Sequence, residues 1–370
     1  MQFSVKRDIL LKSLNFVQGV VEKKNTLPIL SNVLLQLKNK KLSIVATDLD
    51  IVFYDEISEL KILSEGSTTT SAAVLYDILR KISSNSDLNF DLKSENKLSL
   101  KSENSDFNLL CLPTDNFPTF SDEFNGEVIK LNNSKFLKLL NKTKISISAD
   151  DTRHYLNGVF LHLTESNNKR YLTGVSTDSH RLSYSSIELS QNYNFPSIIL
   201  PKKTVFQLCA LLDNYDGEVK ISNIKSKIKF ELNNSILISK LIDGKFPNYI
   251  QVIPKNNKKK LEADLELFHH SVDRVASVST DKKDGVRFSL SKNKLDLSVN
   301  NANSGDGKET LSVKFDHDLD ISFNSKYLVD VASQLEGENI EIYFNDISSP
   351  ALIKDPSDFD SIYVIMPMKG

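Results

Sequence analysis

The chain has 370 residues, 40% hydrophobic and 25% charged, enough for two or three domains with sizeable cores. A formal net charge of −2 excludes a protein that grips nucleic acid over its whole surface, though it leaves room for a local basic face. No stretch approaches the roughly 20 apolar residues of a membrane span, and the N-terminus carries no signal-like run, so a cytoplasmic protein is expected.

In chain order, Leu10, Leu14, Val17 and Val21 fall on one helical stripe, with Lys12 on the far side. An alternating strand pattern follows at 42–46. Ser71 then leads a second helix through Val74, Leu75, Ile78 and Leu79, closed by Arg80 and Lys81, whose charge suits the negative end of the helix dipole. After a strand at 98–100, Asn133 or Ser134 caps a third helix running to about Lys144. At about 100° per residue, Phe136, Leu137, Leu139 and Leu140 fill one face of it, and Lys135, Lys138 and Lys142 cluster opposite. Pro201, suited to a first helical turn, leads Val205, Leu208, Leu211 and Leu212, with Lys202 and Lys203 near the start. Strand patterns occupy 219–222 and 228–232. Asp264 precedes Leu265, Phe268, Val272 and Val275. After a strand at 295–299, Asn324 or Ser325 leads Leu328, Val331 and Leu335, with Gly337 as the stop, and a strand at 340–344 follows. Two helices against antiparallel strands in each third predict an α+β fold.

The thirds are copies. Phe117-Pro118-Thr119-Phe120 returns as Phe246-Pro247-Asn248-Tyr249 (247 − 118 = 129), and Thr47-Asp48-Leu49-Asp50 as Thr177-Asp178-Ser179-His180 (177 − 47 = 130). A period this long means whole domains in series, here 1–125, 126–254 and 255–370, forming an arc. Residues 130–144 hold five lysines and no acid, whereas 213–218, 316–320 and 355–360 are acidic. Helices facing a common centre would make that centre positive inside an acidic rim.

Catalytic patterns are missing. Ser304-Gly305-Asp306-Gly307-Lys308 lacks the spacing of a phosphate-cradling loop. Asp178, Ser179 and His180 are contiguous and point in different directions, so they cannot form a relay. His269 and His270 are poorly placed to share a metal, and Cys111 and Cys209 read as buried free thiols. No enzyme activity, metal or cofactor is expected. A hydrolase using His180 or Cys209 is a competing reading, as is a three-domain scaffold that binds peptides without encircling DNA.

The chain resembles, end to end, the bacterial DNA polymerase III beta subunits, the replicative sliding clamps. The motifs are Thr26-Leu27-Pro28-Ile29-Leu30, Thr47-Asp48-Leu49, Tyr155-Leu156-Asn157-Gly158, Thr177-Asp178-Ser179-His180-Arg181-Leu182, Lys240-Leu241-Ile242-Asp243-Gly244-Lys245-Phe246-Pro247, Gly285-Val286-Arg287 and Val364-Ile365-Met366-Pro367-Met368. The resemblance implies a head-to-tail homodimer closing six domains into a ring. It implies DNA in the hole, a polymerase tethered to the ring and a loader that opens it. A sliding protein needs weak phosphate contacts rather than base readout.

Positions facing DNA by resemblance are Lys24, Arg80, His154, Tyr155, Lys202 and Lys203, and the helical-face argument adds Lys12, Lys135, Lys138 and Lys142. A groove for linear peptides of polymerase, loader and repair proteins is implied at Leu156, Thr177, His180, Arg181, Leu182 and Pro247. It continues through Val252, Asn324, Tyr327, Val364, Met366, Pro367 and Met368. Ser179 stands beside it where glycine is usual, Gln251 and Lys283 replace an arginine and an aromatic, and the chain ends Lys369-Gly370. The dimer interface is implied at Phe107 against the partner's region around Ser277 and Val278, residues smaller and more polar than the family's bulky aliphatics.

Overall fold

The computed structural model describes residues 1–22, 27–118, 120, 124, 126–279 and 285–368. Lys24, Thr26, Thr119, Lys283, Lys369 and Gly370 lie outside the described residues. The helices are α1 (Arg7–Val20), α2 (Ala72–Lys81), α3 (Asn133–Lys144), α4 (Lys202–Asp213), α5 (Leu265–Ala276) and α6 (Ser325–Ala332). Strands between them are antiparallel throughout.

The chain divides into two compact units, 1–134 with 206–241, and 135–205 with 242–370. In the first, a thirteen-stranded sheet runs without a break from Ile129–Asn132 through Ser235–Lys240 and Ile51–Ile57 to Leu60–Ser64. In the second, an eight-stranded sheet runs from Ile198–Pro201 through Arg181–Glu188 and Asp358–Ile365 to Lys259–Asp264, beside a four-stranded sheet that starts at Gly305–Ser312. Each long sheet is continuous across a ladder whose two strands come from different thirds. Ile51↔Ser239 to Asp55↔Ser235 is one, and Arg181↔Ile365 to Ser185↔Ser361 is the other. The two ladders have one register, with offsets 181 − 51 = 130 and 365 − 239 = 126.

The amphipathic stripes became core. Leu10, Leu14 and Val17 of α1 are buried, each large apolar side chain contributing about 1.5–3 kcal/mol relative to exposure. Val20 completes the stripe, and Val21, half-buried, follows the helix. Ser71 caps α2 and Asp264 caps α5 through their side-chain oxygens.

Three expectations about local structure are corrected. Asn133 lies inside α3, and its amide donates to the carbonyls of Leu212, at 2.8 Å, and Tyr215, anchoring the end of α4 instead of capping its own helix. Pro201 ends a strand, paired with Gly158, and α4 starts after it. Gly158 needs its bare Cα, since a Cβ there would lie 2.2 Å from the Leu200 carbonyl oxygen. Finally, α6 stops at Ala332 with Ser333 as its C-cap, and Gly337 instead gives its N–H to Asp355.

Candidate functional site

In the second unit, the turn Thr177-Asp178-Ser179-His180-Arg181 is held by its own short side chains. Asp178 Oδ1 accepts the N–H groups of His180 at 2.9 Å and Arg181 at 3.0 Å. The Thr177 hydroxyl donates to the Arg181 carbonyl at 2.7 Å and accepts the Ser179 N–H at 3.1 Å. The same four bonds occur in the first unit. Asp48 Oδ1 accepts from Asp50 and Ile51, while the Thr47 hydroxyl donates to Ile51 and accepts from Leu49. Both turns need a left-handed residue, Ser179 at φ 78° and Leu49 at φ 79°. Glycine adopts this conformation without steric cost, so serine and leucine are strained there. Ser179 compensates in part, because its hydroxyl accepts from Arg153 Nη1 at 2.6 Å.

The turn launches Arg181, only 8% exposed, under the turn's own wall. Its Nε meets Asp178 at 3.1 Å, its Nη1 meets Asp330 at 2.7 Å, and the guanidinium stacks 4.3 Å from the centre of the Tyr327 ring. Two carboxylates and an aromatic face compensate the desolvation of this charge, which one ion pair would not. Burial, with Asp178 nearby, pushes the Tyr327 phenol up. Asn324 caps α6, accepting from the Tyr327 N–H at 3.3 Å, so this side chain positions Tyr327.

Beside the turn lies an apolar cluster. Leu156, Leu182 and Val364 are its buried floor, together with Val175, Phe246 and Tyr249. Phe246 stacks on Phe160 with centroids 4.8 Å apart. The rim is exposed: His180, Pro247, Gln251, Val252 (46%), Met366 (37%) and Met368. Thr177 and Pro367 are half-buried. The segment after the last strand is tied down at both methionines, Met366 N–H to the His180 carbonyl and Met368 N–H to the Ser322 carbonyl, each at 2.8 Å. Gly285 lets Met368 lie close, since a Cβ would meet the sulfur at 3.0 Å. A fixed floor with flexible thioethers at its edge suits apolar anchors of varied shape.

Sequence reasoning missed Arg153, Asp330 and His162. Arg153 is held by Asp150 at 3.0 Å and by Ser179. Its only sequence signal is its place next to His154. His162 bonds the Tyr249 hydroxyl at 3.0 Å, while its Nδ1 is buried without a partner among the described residues. Burial pushes its pKa down to about 4.

Of the residues expected to face DNA, Lys12 and Arg80 are exposed in the first unit, and Lys135, His154 and Lys202 in the second. Lys203 and Tyr155 are half-buried, the latter with its ring edge-on to His154 at 5.9 Å. Lys142 is a correction. It is 2% exposed, donates to the Gln334 carbonyl, and pairs with Glu336 at 3.1 Å and Asp358 at 3.5 Å. Lys138 is also engaged, with Glu336 at 2.9 Å and Asp358 at 3.2 Å. Of the three lysines on that face, Lys135 is the exposed one, Lys138 is half-buried and Lys142 is buried. The acidic segment 355–360 is corrected with it, since Asp355 and Asp358 are buried. Asp355 accepts the backbone N–H groups of Glu336 and Gly337, and Asp358 holds the lysines.

The expected interface residues lie on or beside two strands. Along Ser105–Leu112, which carries Phe107 and the 83% exposed Leu110, residues 105–110 pair on one side only among the described residues. Phe107 also lines a cavity with Val74, Ile78 and Ile82. Strand Gly305–Ser312 is likewise terminal in its sheet, and its Gly307 packs against Val278. Ser277 caps α5.

Three family models match in series: the DNA polymerase III beta subunit N-terminal domain over residues 1–121, its central domain over 130–248 and its C-terminal domain over 250–369. The chain is 36% identical over 372 residues to the beta sliding clamp of Caulobacter vibrioides, with 100% of both chains covered. It is 34% identical over 370 residues to that of Escherichia coli K12, again with 100% of both covered. Among solved structures, the Caulobacter crescentus beta sliding clamp superposes with TM-score 0.95 at 36% identity, over 100% of this chain and 99% of the other. A Bartonella birtlesii DnaN sliding clamp bound to griselimycin does so with TM-score 0.94 at 37% identity, over 100% of both.

Proposed function

The chain belongs to the DNA polymerase III beta subunit family, and on that premise we propose which of its residues do the family's work. The protein is a non-catalytic processivity factor, a homodimeric sliding clamp that binds duplex DNA without reading sequence. It tethers the polymerase and is loaded by the clamp loader. The proposed domains are 1–125, 126–254 and 255–370. Among the described residues no helix is long and apolar enough to cross a membrane, and the cytoplasm, where replication takes place, is the proposed location.

The peptide groove is assigned to the apolar cluster between His180, Val252, Met366 and Met368. The observation that supports this is the conjunction of a buried floor, Leu156, Leu182 and Val364, with that exposed rim. A partner's apolar side chain buries itself on the floor while its main chain meets the polar turn at Thr177–Arg181. The DNA-facing set is Lys12, Lys24, Arg80, Lys135, His154, Tyr155, Lys202 and Lys203. These are non-specific contacts, which allow movement because none is a base-edge bond. The interface is assigned to Phe107 and Leu110 against Ser277, Val278 and strand Gly305–Ser312, two open edges that can continue one ladder.

The test is retention on nicked circular DNA after loading with a bacterial clamp loader and ATP. Retention at high salt, followed by loss once the circle is cut, supports topological linkage. Salt-sensitive binding that ignores DNA ends would mean ordinary electrostatic association, and no binding at all would favour the peptide scaffold instead.

A further inference from the structure

The first unit contains a second copy of the groove's framework. The shared ladder register sets Val52 on Leu182, Tyr54 on Tyr184, Ile236 on Ile362 and Ile238 on Val364. The turn after the preceding strand sets Phe117 on Phe246 and Phe120 on Tyr249. Leu30 and Phe117 are buried with Leu34, Val45 and Phe120 packed against them, as Leu156 and Phe246 are buried with Phe160 and Val175 in the second unit. Beside this cluster opens a cavity of about 830 Å³, a size at which pockets commonly hold ligands.

The lining sets what the cavity can hold. Leu34, Val45, Phe120 and Ile236 are half-buried, so apolar surface remains in water. The rim includes Gln36, Thr114, Asn233 and Asn234, neutral groups able to meet the donors and acceptors of a peptide main chain. Its charged members, Lys41 and Glu56, face each other at 2.5 Å. Where the first groove presents His180 and Arg181, the matching positions are Asp50 and the buried Ile51. Without unpaired cations among the described residues of its lining, the cavity has little hold on phosphate or an acidic sequence.

We propose that this cavity is a second docking site, which takes an extended, uncharged segment of a partner protein with leucine or aromatic anchors. The proposal rests on the reading of the second-unit cluster as a peptide groove. One partner could then occupy two places on a protomer, and the second contact would raise its residence through effective concentration.

The test uses the full-length dimer with isoleucine methyl groups labelled for NMR, titrated with the blocked hexapeptide Ser-Leu-Ala-Leu-Phe-Ser. Saturable shifts at Ile236 and Ile238 are expected, and Ile236→Lys should weaken the Ile238 response about tenfold while leaving the shifts at Ile362 unchanged. Shifts at Ile362 without any at Ile236 and Ile238 would overturn the second site and leave the first groove standing. Shifts at Ile236 and Ile238 alone would support the second site and overturn the first. No shift at any of these methyls up to ~1 mM peptide would overturn both.

Discussion

The Lys142 ammonium lies 3.5 Å from the Asp358 carboxylate with both side chains buried, joining α3 to the start of the last strand. Glu336 and Lys138 complete an alternating cluster around them. A lysine that helical periodicity assigns to the polar face thus belongs to the packing of its unit.

Replacing Lys142 with methionine keeps the volume but leaves Asp358 with Lys138 as its remaining cation. Losing one partner of a buried pair should cost about 3 kcal/mol, read as a lower midpoint in urea or heat. Lys135→Ala should leave the midpoint within about 0.5 kcal/mol.

Binding to DNA separates the same residues differently. Lys12→Ala and Lys202→Ala should each lower the slope of log affinity against log salt by about 0.9, the value for one phosphate contact. Lys142→Met should leave the slope unchanged. A slope change for Lys142→Met equal to that of Lys12→Ala would return it to the DNA-facing set.

Stability should fall as pH drops through two ranges. Desolvation lowers the His162 pKa from 6.5 to about 4, so the unfolded chain takes up that proton first. Its contribution is present above pH 6.5 and is lost as pH falls towards 4. For Asp358, burial acts to raise the pKa, but Lys138 and Lys142 hold it below the usual carboxylate range. That contribution is present above the ordinary carboxylate pKa and is lost as pH falls through the lowered one. Melting profiles of His162→Gln should be flatter between pH 6.5 and 4 than those of the parent.

The left-handed turns respond to glycine. Leu49→Gly removes a side chain from φ 79° and should stabilise the chain by about 0.5–1 kcal/mol. Ser179→Gly should give less, because it also removes the acceptor for Arg153. Equal gains in thermal midpoint would show that this hydrogen bond contributes nothing.

At the interface, Phe107→Asp should shift the protein from dimer to monomer in light scattering without lowering its helix content. The small residues Ser277 and Val278 predict faster subunit exchange than in typical relatives. Slower exchange would contradict the assignment.

The sequence by itself determined the repeat, the α+β class, the helical stripes and the turn chemistry. Each follows from local spacing: a 3.6-residue period, a Thr-Asp pair ahead of a left-handed residue, a Phe-Pro turn. It also marked Arg181 and Met366 as candidate groove residues, because their motifs return in order along a known family, and the same resemblance marked Phe107 as a candidate interface residue. Tertiary structure decided which charges are buried. Lys135 and Lys142 share one lysine-rich face, and only the arrival of Glu336 and Asp358 from residues about 200 positions later buries the second of them. Asp330 beside Arg181 and the framework shared by Val52 and Leu182 likewise arise from pairings between distant strands and helices, which no local period encodes.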